Sequence, residues 1–262
     1  MPPQSFDLTL SRFGLEQLKN RLDLQLTKTG DIAVTRDGDL QLGNTQANAL
    51  FRFVERWRHS ESTIAELFGP LVRADRTLEE LSGARERGEG SSLSQTPQAY
   101  HDVTEAIVES QLISSTLAGS ISVILNNLLQ RLKLDLNASS DEWHLSAPLV
   151  MGFSVGEVFA AAAANFRHYD EWAATKVPDA KQMTSMKVLC GLLDVPVLTT
   201  HGFPTIRSNV CGKVLMLVSR GSIETLHETT FDYAKSLAKH NYSRFSYSRG
   251  NAQPGSQPDA AR

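Results

Sequence analysis

Apolar residues fall near helical spacing from residue 11 to 26, where Phe13, Leu15, Leu18, Leu22 and Leu24 line up. The pattern then changes to alternation in Asp31-Ile-Ala-Val-Thr-Arg-Asp-Gly-Asp-Leu-Gln-Leu-Gly43, with Asp37-Gly38 at its centre. Alternation around Asp-Gly is a strong short-range turn signal and predicts a β-hairpin over 31–43. Asn44 is placed to cap a helix carrying Ala47, Leu50, Phe51, Phe53, Val54 and Trp57. Thr63-Ile-Ala-Glu66 has the form of a capping box, so a further helix is expected to open near Ser62 or Thr63.

Residues 73–98 are charged and then polar, with little apolar surface to offset the entropy of ordering, so 85–97 is expected to be a linker. Beyond it the pattern is helical almost throughout. Val103, Ala106, Ile107, Ser110, Ile113 and Leu117 step by three and four, and Gly119-Ser120 is expected to mark a kink or short turn. From Ile121 to Leu134 the helix is apolar on most sides, the signature of the centre of a bundle. Residues 135–152 are expected to be a polar loop. Ser154-Val-Gly-Glu157 then caps a helix over 153–175 that Pro178 stops. Helices are expected over Lys181–Leu193, over Ile206–Val218 with an interruption at Gly212, and from Gly221-Ser222 to about Asn241, with a turn at His201-Gly-Phe-Pro204. The fold class is therefore mainly α. A small α+β N-terminal unit with a hairpin (1–84) and a linker (85–97) precede a C-terminal helical bundle (98–248), and 249–262 form a disordered tail.

Composition changes this picture little. The chain has 262 residues, 41% hydrophobic and 21% charged, and a net charge of −3, so no global basic field attracts nucleic acid. Cys190 and Cys211 form neither a disulfide framework nor a metal-binding spacing. The first residues lack the basic and apolar regions of a secretory signal, and the apolar runs fall short of the roughly 20 residues that span a bilayer. These features lead to the expectation of a cytoplasmic protein without membrane association, resident metal or cofactor.

Candidate chemistry concentrates at the end of the helix over 153–175. Five consecutive alanines, Ala160 to Ala164, permit close helix packing. Asn165-Phe-Arg-His-Tyr-Asp-Glu-Trp172 follows them. His168 suits a general base or a phosphate contact, Arg167 a bidentate phosphate contact, and Asn165, Tyr169 and Glu171 supporting contacts. The bland alternative is a solvated ion-pair cluster at a helix end. His168-Tyr-Asp-Glu171 reverses the Glu-x-x-His order of ferritin-like metal sites and has no twin.

An Ala-rich helix ending in this segment, within an all-helical unit over roughly 99–245, resembles the HEPN superfamily of toxin–antitoxin and phage-defence proteins. The resemblance implies a dimeric helical bundle, a metal-independent endoribonuclease site built from Arg and His of two subunits, and RNA or an antitoxin protein as partner. Active members separate Arg from His, whereas Arg167 and His168 are adjacent. Separated pairs do occur at Arg52-Phe-Val-Glu-Arg-Trp-Arg-His59 and at Arg220-Gly-Ser-Ile-Glu-Thr-Leu-His227, the second within the resembling region. Arg220 and His227 are therefore the rival catalytic pair. The helix exit carries Lys235, Lys239, Arg244 and Arg249 among Tyr242, Phe245 and Tyr247, a mixture suited to unpaired RNA bases or to a plain basic helix end. The hairpin also resembles the opening of phage-tail baseplate wedge proteins. Two functions are expected from different classes: an HEPN-like homodimer that binds or cleaves RNA, and a non-enzymatic, possibly phage-derived helical module that docks a protein partner.

Overall fold

The computed structural model describes residues 5–20, 27, 29, 31–34, 38–40, 45–87 and 97–250; for 20, 45, 85–87, 97, 99 and 240–250 it describes the backbone alone. Among these residues the fold is mainly α, with one two-stranded antiparallel sheet.

Helix α1 (Phe6–Arg12) is capped by the Ser5 hydroxyl, which accepts from the Leu8 amide. A helix over 11–26 was the expectation. Instead the chain turns at Gly14 (φ 65°) and continues as a 3-10 helix over Glu16–Asn20. Leu10, Phe13, Leu15 and Leu18 are all buried, so the periodicity identified core positions although the backbone breaks between them. Residues 21–26 lie outside the described residues, as do Asp37 and Asn44. Among the described residues the hairpin region contributes one antiparallel bridge, Val34 to Leu40, beside Gly38 at φ 86°.

Helices α2 (Thr45–Arg87) and α3 (Pro97–Leu136) are 43 and 40 residues long, about 60 Å each at the standard rise. They run antiparallel, because Arg52 and Arg56 near the start of α2 meet Asp135 at the end of α3 at 3.5 and 2.6 Å. No new helix opens at Thr63. Phe53, Trp57, Ile64, Phe68 and Leu71 form one buried stripe through that point, and the continuous packed face outweighs the local cap signal. The segment expected to be a linker includes the end of α2 and Pro97 of α3.

Residues 121–134 of α3 lie at the bundle centre as expected: Ile121, Leu125, Leu129 and Leu132 are fully buried. By length and composition α3 is also able to cross a membrane, unlike the short apolar runs seen in the sequence, and half of its most apolar window is buried inside the fold. The helix runs unbroken through Gly119. The Phe166 ring occupies the place of the missing side chain. Gly119→Ala would drive a methyl into that ring, and an overpacking loss of about 1–3 kcal/mol is expected from urea unfolding.

The stretch 135–152 is more than a loop. Ser139 and Glu142 form a reciprocal capping box for α4 (Ser140–Leu145), and β1 (Leu149–Val150) pairs with β2 (Phe153–Ser154). Helix α5 (Val155–Ala174) follows its own box, Ser154 with Glu157, and α6 (Ala180–Leu192) is capped by Asp179. Helix α7 spans only Cys211–Ser219; side-chain hydrogen bonds to Ser208 and Val210 hold the preceding loop out of the helix. Gly212, expected to interrupt a helix, lies in the first turn of α7 against Ser114 of α3. Helix α8 runs Ile223–Gly250, beyond Asn241. One hydrophobic core joins both ends of the chain, with Phe13 stacked on Phe231 of α8 (ring centroids 3.5 Å apart).

Candidate binding site

Helix α5 separates the side chains that the sequence groups together. Ala161, Ala162 and Ala163 face the core, and Asn165 continues that face at 0% exposure. The Asn165 amide donates to the Ser208 carbonyl (3.2 Å) and its oxygen accepts from the Val210 amide (2.9 Å). Asn165 thus ties α5 to the loop before α7. Cys211 lies beside it, its thiol donating to the Ala162 carbonyl at 3.2 Å. Burial raises the Cys211 thiol to about 12 and also raises Cys190, so neither is a ready nucleophile.

Arg167 and His168 stand on the opposite, exposed side. His168 Nδ1 lies 3.1 Å from Glu171, a pair one helical turn apart with both members largely in solvent. Such pairs contribute little to stability. Trp172 is buried, so the polar segment is divided between core and solvent.

The rival pair also separates. Arg220 is exposed, in left-handed conformation (φ 52°) at the end of α7. His227 is buried, and its Nδ1 meets Arg12 Nη2 at 3.2 Å. Arg12 in turn holds Glu61 at 3.0 Å, and the His227 ring packs edge-on against Trp57. Arginine only donates, so Nδ1 must be the bare nitrogen and Nε2 carries the proton. His227 is a neutral core histidine whose pKa burial, followed by the Arg12 charge, lowers to about 4. The earlier pair separates in the same way: Arg52 is buried against Asp135 and Asp39, whereas His59 is exposed. Lys239 is exposed on α8, and the Arg244 side chain lies outside the described residues. Neither Arg167 with His168 nor Arg220 with His227 lines the hollows described below.

Of the residues singled out in the sequence, Tyr169 does line a hollow. A groove of about 260 Å³ lies between α3 and α5, walled by Val108 and Leu112 on one side, Phe166 and Tyr169 on the other, and Ser208 and Asn209 at one end. Val108, Leu112 and Tyr169 are 59, 63 and 40% exposed, an apolar set open to solvent. Asp102, Glu105 and Glu109 run along the same exposed part of α3, with Glu105 and Glu109 each three residues before a groove residue. Sequence reasoning missed Val108 and Leu112, which stand off the main stripe of α3; their own four-residue spacing was the available signal. Ile113, assigned to that stripe, is 42% exposed.

Ser115 and Asn209 close the floor of the groove. The Ser115 hydroxyl donates to the Asn209 carbonyl (3.3 Å), and the Asn209 amide returns a bond to the Ser115 carbonyl (3.2 Å). Among the described residues no three His, Cys, Asp or Glu side chains gather in a way that would hold a metal ion. Comparison of the chain with protein-family models, curated proteins and solved structures finds no match.

Proposed function

We propose that this protein is a non-enzymatic helical interaction module whose α3–α5 groove receives an amphipathic helix of a protein partner. The observation that carries this reading is the exposed apolar set Val108, Leu112 and Tyr169 around a formed groove. A helix laid in such a groove buries apolar residues at steps of three and four. The acidic row Asp102, Glu105 and Glu109 favours a partner helix with Lys or Arg along one rim, and it opposes nucleic acid at this face.

The second reading, RNA contact by an HEPN-like dimer, is favoured by the accessibility of Arg167 and His168. Cleavage on that reading needs an Arg–His arrangement completed by a second subunit.

The two are separated by one set of variants of the full chain expressed at its native level. Leu112→Asp is expected to remove a stoichiometric protein partner, weakening the complex at least about tenfold as loss of a central apolar contact does. Leu217→Asp, on α7 away from the groove, is expected to retain it. The partner segment crosslinked to position 112 should be a helix with a basic rim. Retention of the partner by Leu112→Asp would refute the groove assignment. RNA cleavage by purified protein that His168→Ala abolishes would replace the reading altogether.

A further inference from the structure

Behind the Ser115–Asn209 floor lies a second, larger hollow of about 440 Å³, between α2, α3 and the start of α7. Its volume falls in the range of small-molecule sites. Its walls mix apolar side chains (Leu78, Ile107, Val210) with polar and charged ones, and among the described residues those charges find no partner. Asp75 and Glu79 project from successive turns of α2, and Lys213 lies on α7 across the cleft. None of the three makes an ion pair or hydrogen bond with another described residue. Burial and the neighbouring Glu79 raise the pKa of Asp75, as expected where two carboxylates share a site without a counter-ion.

The α7 wall offers the complementary chemistry. Its N-cap residue, Val210, makes no side-chain capping bond. The Asn209 side chain takes the Cys211 amide (3.0 Å) and Asn165 takes the Val210 amide, but the next two amides, of Gly212 and Lys213, have no acceptor among the described residues. Free amides at a helix start, beside a lysine, attract an anionic group. Ser114 supplies an independent indication. It is only 2% exposed, lines the cleft, and has no hydrogen-bond partner among the described residues. Its Oγ points at the first turn of α7, 2.5 Å from where a side chain on Gly212 would begin. A hydroxyl that lines the cleft without a protein partner is open to a ligand or solvent.

From this arrangement we infer that the cleft binds a free basic amino acid, its carboxylate at the α7 amides, Ser114 and Lys213, and its two cationic groups at Asp75 and Glu79. The charges match: two carboxylates and one ammonium in the wall face one carboxylate and two cationic groups in the ligand. This assignment does not rest on the groove or on its partner.

Isothermal titration of the full-length protein with L-lysine, L-ornithine and L-arginine tests it. Norleucine, cadaverine and N-acetyl-L-lysine serve as probes that each lack one ligand group. At least one basic amino acid is expected to bind at least about tenfold more tightly than any of the three probes, as loss of a charged hydrogen-bonding group implies. Asp75→Asn and Lys213→Ala, whose side chains line the cleft without structural partners, are expected to fold as the parent does and to weaken binding about tenfold or more. Absence of binding by all three amino acids overturns the inference. So does equal binding of cadaverine or norleucine, which would leave one wall unused. Equal binding of N-acetyl-L-lysine refutes a free amino acid in favour of a chain terminus, and unchanged affinity in both variants refutes the location.

Discussion

Asn165→Ala is expected to destabilise the fold by about 2 kcal/mol in urea unfolding, whereas His168→Ala, three residues along the same helix, shifts it by less than about 0.5 kcal/mol. The contrast follows from what each side chain touches. Asn165 is fully buried and makes both of its amide hydrogen bonds, to the Ser208 carbonyl and from the Val210 amide. Alanine removes both bonds and leaves a part-buried carbonyl and amide to find other partners, a combined loss of roughly 1–3 kcal/mol. The loop before α7 loses its tie to α5, and the groove and the cleft lose the placement of Ser208 and Asn209. His168 loses only a solvent-screened contact with Glu171. Similar unfolding midpoints for the two variants would show that Asn165 does not hold this junction.

Acidification is expected to lower the stability of the parent protein by about 2 kcal/mol more than that of His227→Phe between roughly pH 7 and pH 4.5. Three charged groups face the His227 ring: Arg12 of α1, Glu61 of α2 and Glu224 of α8. Burial and Arg12 lower its pKa to about 4, while Glu224 opposes them. In the unfolded chain the ring titrates near its ordinary value of about 6.5. Between those values the unfolded chain takes up a proton that the folded protein refuses. Stability is therefore full above about pH 6.5, falls as pH drops through the window, and levels off below about pH 4. Protonating Nδ1 would also break its bond from Arg12. His227→Phe keeps an apolar ring beside Trp57 and removes the titration, so its curve should be flatter across this window. Parallel curves for the two proteins would contradict the neutral, buried state of this ring.

These two side chains also show what could be read along the chain. The start of α5 was legible because its determinants are local: Ser154 and Glu157 satisfy each other's backbone partners within one turn. The same logic applied at Ser139 and Glu142, where a capping box lay unread in a stretch that looked like loop. Local logic failed at Thr63 and Gly119, because packing against distant helices overrides a cap or a glycine. The candidate site suffered most. Which way Asn165 turns is decided by a loop 45 residues further on, and the partner of His227 is an arginine that no spacing rule connects to it. Tyr169 was identified from its setting, but the α3 wall opposite it was not, because exposed Val108 and Leu112 belong to no core periodicity.

The contact between α1 and α8 orders events during synthesis. Arg12 and His227 are 215 residues apart, and Phe13 stacks on Phe231 in the same region. During translation α1 is made long before the α8 part of its binding surface, since Phe231 and His227 come more than 200 residues later. Contacts of such separation are slow to close. Helix α1 can meet α2 early, through Arg12 with Glu61 and Phe6 with Phe51, but the side of Phe13 that stacks on Phe231 stays open until α8 is made. A ribosome pause before residue 227 would prolong the interval in which the Phe13 face lacks its α8 partner.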